Sequence, residues 1–169
     1  MEISNTHAYE DLVDEYGESL YRFCRRLAYS KEDAEDLLQE TFLTALEQLP
    51  KALENPRGFL FSTALYLWKS MKRKFARRRR IAPVAPLDDN IADDASVEDG
   101  VIAQEESRLI RRLVSALPDR YKIPLVLYYS VEMGQADIAD MLGIPVGTVK
   151  SRLHKGRRLV EKGLVKYGC

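Results

Sequence analysis

From Tyr9 onward apolar residues fall at Leu12, Val13, Tyr16, Leu20, Phe23, Cys24 and Leu27, spacings of three, four and seven that lay one stripe along a helix. A second helix is predicted from Ser30, whose hydroxyl can cap it with Asp33 three residues on, to about Leu49-Pro50. Its buried face would be Ala34, Leu37, Leu38, Phe42, Ala45 and Leu46. A loop over 48–56 should lead into a helix from about Arg57 to Arg80. Leu60, Ala64, Leu67, Met71 and Phe75 form the core side of that helix, with Phe61 and Trp68 on its edge.

The periodicity then lapses. Residues 81–100 carry Pro83, Pro86 and the acids Asp88, Asp89, Asp93, Asp94, Glu98 and Asp99, the composition of a linker. Helical spacing returns near Gln104, runs to Leu117, breaks at Pro118 and resumes over 123–131. Pro124 must lie in the first turn of that last segment or kink it. Two final segments, 135–142 and 146–165, are separated by Gly143-Ile144-Pro145. That is the length of a helix-turn-helix turn, with Gly143 suited to the left-handed conformation at a helix end. No strand alternation is present. The expected fold is all-α: two small helical domains, 1–80 and 104–169, joined by an acidic flexible linker, 81–103, the second domain being a helix-turn-helix.

Composition narrows the function. At 169 residues, 46% hydrophobic and 31% charged, the chain is neither wholly disordered nor long enough for a large single-core enzyme. Cys24 and Cys169 lie far apart with no partner spacing, so neither a disulfide framework nor a zinc site is expected, and no cofactor. Met1-Glu2-Ile3-Ser4 lacks the basic and apolar pattern of a signal, and no apolar run reaches the ~20 residues of a membrane helix. A cytoplasmic protein without direct membrane insertion is expected. His7 and His154 are the only histidines, and no phosphate loop or nucleophile elbow accompanies them, so no catalytic activity is expected.

Net charge is zero, with 26 basic and 26 acidic side chains, yet it resolves into blocks. Residues 1–56 hold 5 basic and 13 acidic side chains; residues 57–80 hold 9 basic and none acidic; residues 81–106 hold none basic and 8 acidic; residues 107–169 hold 12 basic and 5 acidic. The signs change where the secondary-structure pattern changes.

Three segments carry candidate chemistry. On a helical wheel the last helix buries Val146, Val149, Leu153, Val160 and Leu164 and turns Gly147, Thr148, Ser151, His154, Lys155, Arg158 and Lys162 outward, with Lys150 and Arg152 at the margins. Behind a helix and a tight turn, such a face can enter a major groove, reading base edges and neutralising phosphates. The basic helix presents Phe59, Ser62, Tyr66, Lys69, Arg73 and Arg77 away from its core side; aromatics among cations make a stacking platform for unpaired bases. The second helix sets Asp33, Asp36, Glu40 and Glu47 opposite its buried face, with Leu43 outward beside Gln39. An acidic ridge with an outward leucine suits a basic protein helix and repels DNA.

Asp33-Ala34-Glu35-Asp36-Leu37-Leu38-Gln39-Glu40-Thr41-Phe42, then Leu117-Pro118, then Ile144-Pro145-Val146-Gly147-Thr148-Val149-Lys150-Ser151-Arg152-Leu153 together resemble the extracytoplasmic-function sigma factors of bacterial RNA polymerase, over nearly the whole chain. The resemblance implies a subunit that binds core RNA polymerase and directs it to promoter DNA, and the usual control by an anti-sigma factor. By position it places Asp36, Gln39, Glu40 and Phe42 against the polymerase, with Asp33 and Leu43 on the same segment. The −10 element falls to Phe59, Ser62, Tyr66, Lys69, Arg73 and Arg77. Lys150, Ser151, His154 and Lys155 would face −35 bases, with Thr148, Arg152 and Arg158 towards the backbone. The chain departs from the family wording at Phe59, Tyr66, Ser70 and Gln135. A stand-alone helix-turn-helix regulator is the alternative reading.

Overall fold

The computed structural model describes residues 2–81 and 101–168. Its described residues form two compact units, the first holding α1 (Glu2–Leu27), α2 (Lys31–Glu47), α3 (Leu49–Glu54) and α4 (Pro56–Ile81). The second holds α5 (Val101–Ser115), α6 (Asp119–Tyr129), α7 (Gln135–Leu142) and α8 (Val146–Lys166). Among the described residues there is no strand, as an all-α chain requires. The expected linker lies almost wholly outside the described residues. Its ends, however, are helical: Ile81 closes α4, and α5 begins at Val101, three residues before Gln104.

In the first unit α1 starts at Glu2 rather than near Tyr9 and buries Leu12, Leu20, Phe23, Cys24 and Leu27. Val13, expected in that stripe, is 36% exposed. Ser30 caps α2 as expected: its Oγ accepts the Asp33 N–H at 3.0 Å. The expected loop 48–56 is mostly the short helix α3. Pro50 falls in its first turn, where no amide hydrogen is needed, and Leu49 and Ala52 are buried three residues apart. Asn55 Oδ1 then accepts the Gly58 N–H at 3.1 Å, closing the start of α4.

The inward side of α4 is rotated from the expected one. Phe61 and Trp68, expected at the edge, are buried with Leu60, Ala64 and Leu65, whereas Leu67, Met71 and Phe75 are only half-buried. Two contacts with α1 set this rotation. Phe23 and Phe61 meet edge to face at 5.3 Å, and Trp68 Nε1 donates to the Leu27 carbonyl at 2.8 Å. That bond satisfies both an indole and an orphan carbonyl at the end of α1. Burial pushes the Cys24 thiol up to about 12, so Cys24 is a protonated packing group.

In the second unit α6 begins five residues ahead of Pro124, so this proline lies inside the helix rather than in its first turn. Residues 122–127 are buried without interruption, and that burial outweighs the backbone bond a proline cannot make. Helix α7 ends at Gly143 with φ 64°, the expected left-handed cap, and Ile144 N–H returns to the Ala139 carbonyl at 3.1 Å. Helix α8 packs on α6 through Gly156. A Cβ there would approach Leu125 Cδ1 to 2.8 Å, so glycine permits the close approach.

Candidate nucleic-acid interface

Val149 and Leu153 anchor α8 in the core of the second unit, with Ile138 and Ala139 of α7 buried beside them. This fixes which side of α8 meets solvent. Lys150, Ser151, His154, Lys155 and Arg158 are exposed, while Thr148 and Arg152 are half-buried on the flank. The outward row therefore carries Ser151, His154 and Lys155 within three turns of the helix start, in the half of the helix where a recognition helix touches bases. Val146, expected inward, is 39% exposed; at the first helical position the core no longer reaches it. Ser151 Oγ donates to the Thr148 carbonyl at 3.1 Å, which leaves its lone pairs outward.

On α4, Ser62, Tyr66, Lys69, Arg73 and Arg77 are all exposed and succeed one another at three- and four-residue steps, opposite the Phe61–Trp68 core. Tyr66 is 67% exposed, so its ring has an open face. Phe59, at the head of the row, is half-buried. Nearer the end of the helix, Phe75 stacks on Tyr29 at 4.9 Å and Arg79 lies 5.9 Å over the same ring, while Lys72 lies 5.2 Å over Trp68. These cation–π pairs orient part of the cationic end of α4.

On α2, Asp36, Gln39, Glu40 and Leu43 are exposed, Leu43 by 56%. Phe42 is buried, as its place on the apolar face of α2 predicts, and not exposed beside the residues that the resemblance sets against the polymerase: it is 7% exposed and meets Tyr9 edge to face at 6.2 Å. The same helical spacing that turns Leu43 outward turns Phe42 into the core, so Phe42 supports the ridge from behind. Asp33 is half-buried in the first turn, favourable for a carboxylate at a helix start. Leu46, expected inward, is 45% exposed and extends the apolar strip of Leu43. Beside the ridge a groove of about 230 Å³ runs between α2 and α4, lined by Asp36, Glu40, Leu67, Ser70, Met71 and Lys74.

Family models for sigma-70 region 2 and sigma-70 region 4 match residues 12–80 and 107–160. The chain is 34% identical over 170 residues to the ECF RNA polymerase sigma factor SigW of Bacillus subtilis, covering 93% of this chain and 89% of the relative. The chain belongs to the extracytoplasmic-function sigma factors. Another member, SigL of Mycobacterium tuberculosis, is 32% identical over 160 residues, covering 93% and 89%. The fold matches that of the sigma factor RpoE in its complex with the anti-sigma factor NepR from Bartonella quintana, with TM-score 0.75 and 22% identity over 92% of this chain and 97% of that one.

The protein is thus a sigma factor, directing RNA polymerase to promoters, and the stand-alone regulator gives way. One feature of this sigma factor escaped the helical wheel. Arg157 of α8 donates from Nη1 to the Tyr129 hydroxyl at the end of α6, at 3.1 Å. Its pairing depends on the α6–α8 packing, which no local spacing encodes. Among the described residues no cluster of histidine, cysteine and carboxylate could hold a metal, and no helix is long and apolar enough to cross a membrane.

Proposed function

We propose that the sigma factor divides its work by surface and that the chemistry of initiation belongs to the polymerase. The observation that carries this is the separation of opposite charges onto surfaces of different elements: Asp36 and Glu40 outward on α2, no acid on α4, and none over residues 146–160 of α8. Asp36, Gln39, Glu40 and Leu43 dock on core polymerase, with Asp33 holding the helix start and Phe42 backing the ridge. Tyr66 stacks on an unpaired base of the −10 element, aided by Phe59 and Ser62, with Lys69, Arg73 and Arg77 along the strand. Lys150, Ser151, His154 and Lys155 read −35 base edges, and Thr148, Arg152 and Arg158 take phosphates. Residues 1–80 and 104–169 act as the two domains and 81–103 as their tether. The protein works in the cytoplasm.

Melting DNA costs on the order of 1–2 kcal/mol per stacked step, beyond any single contact. Duplex anchoring by α8 and base capture by α4, linked through the polymerase, share that cost by raising effective concentration. An anti-sigma factor fits as regulator, since the structural neighbour RpoE was solved with one. Run-off transcription with purified core enzyme on a genomic template library tests the assignment. Promoter-dependent products are expected; none would overturn it.

A further inference from the structure

A helix with its side chains is about 10–12 Å across, close to the width of the major groove. When such a helix lies in the groove, its outward face meets bases and each flank meets one phosphate strand. Helix α8 carries Thr148 and Arg152, both half-buried, on one flank. The other flank carries Lys150 and, seven residues on, Arg157, some 20° around and about 10 Å further along the axis. Arg157 is exposed and is tied to α6 by the 3.1 Å bond to Tyr129 Oη. Tyr129 is 55% exposed and is itself braced edge to face by Tyr128 at 5.0 Å.

The chemistry of this anchor matters. A carboxylate in the place of Tyr129 would fix the guanidinium but cancel its charge. A phenol accepts one hydrogen bond, leaves the full positive charge and leaves the other N–H donors of the fork free to face a ligand. Glu161, one turn on, acts on Arg157 only through its field and forms no ion pair with it among the described residues. Holding a long side chain in place before binding also removes part of the rotamer entropy that binding would otherwise cost.

We propose that Tyr129 and Arg157 form a preset phosphate clamp on the second flank of α8, Arg157 gripping the DNA backbone and Tyr129 acting as its positioning residue. The clamp sets the register of the helix in the groove and carries no sequence information of its own. It rests on the assignment of the outward face of α8 to duplex DNA.

The test uses the full chain reconstituted with core RNA polymerase, on a promoter duplex recovered by run-off selection and on the same duplex with its −35 segment scrambled. Binding is measured against salt. Arg157→Ala should reduce the slope of log K against log salt by about 0.9 and weaken both duplexes alike, roughly five-fold at 0.15 M salt. Arg157→Lys should keep the slope. Tyr129→Phe should also keep the slope while weakening binding about two-fold, because charge remains and positioning is lost. An unchanged slope in Arg157→Ala, or a loss confined to the unscrambled duplex, overturns the phosphate contact. Tyr129→Phe binding as tightly as wild type overturns the positioning role. Lys155→Ala is measured in parallel. If it abolishes discrimination while Arg157→Ala is silent, only the clamp falls; if both are silent, the duplex-reading assignment of α8 falls with it.

Discussion

Lys155 stands in the middle of the outward row of α8 with no intramolecular role in the fold. Its replacement by alanine is expected to reduce discrimination between matched and scrambled −35 duplexes by about 1–3 kcal/mol, the scale of one base-reading contact. Equal losses on both would assign it to phosphate. Glu40 on α2 is exposed in the same sense. Glu40→Lys should abolish most pull-down of core polymerase by reversing charge on the ridge, with the helical signal unaltered; undiminished pull-down would refute the docking role. Tyr66→Ala removes the exposed ring of α4 and should lower promoter opening, read by permanganate reactivity of unpaired thymines, about ten-fold, in line with a stacking contribution of ~1–3 kcal/mol. Unaltered reactivity would make Tyr66 a surface residue only. Lys155, Glu40 and Tyr66 were legible in the sequence because their exposure follows from helical phase. The burial of Phe42 was legible in the same way, since it falls on the predicted apolar face of α2; the pairing of Arg157 was not, since it is decided by Tyr129 on a different helix.

At the level of elements, sequence signals marked most boundaries where a residue enforces them. Ser30 caps α2, Gly143 ends α7 in the left-handed region, and Pro145 precedes α8. They misplaced α3, where Pro50 reads as a breaker but falls in a first turn, and α6, where burial overrides Pro124. Two of the three glycines of α8 test how far local preference goes. A Cβ at Gly147 meets nothing within 4 Å, whereas one at Gly156 meets Leu125 and Tyr121. Gly147→Ala should raise stability by about 0.5–1 kcal/mol through helix propensity. Gly156→Ala gains the same propensity but overpacks a buried leucine, for a net loss of about 1 kcal/mol. Denaturant midpoints of the two variants decide it; a stabilised Gly156→Ala would mean that α6 and α8 part easily.

For the whole molecule, the division into two units makes a thermodynamic prediction. Trp68 is the sole tryptophan and is buried in the first unit, while Leu153 is buried in the second. Leu153→Ala should cost about 2–5 kcal/mol and lower the melting of part of the helical signal while the Trp68 fluorescence transition stays in place. A common shift of both signals would show a single cooperative unit. The sequence alone determined that this chain is helical and that it belongs with the sigma factors, and it pointed to two domains around an acidic stretch. Those properties follow from apolar periodicity, charge blocks and motif wording, all of which are local. It also determined that zero net charge is a cancellation between surfaces and so carries no argument against DNA. Only the tertiary structure decided which side of α4 faces its core and that Tyr129 holds Arg157. Each of these depends on a contact between residues far apart in the chain, such as Trp68 with Leu27 or Arg157 with Tyr129, and helical phase fixes a stripe only to within the width that neighbouring helices choose to cover.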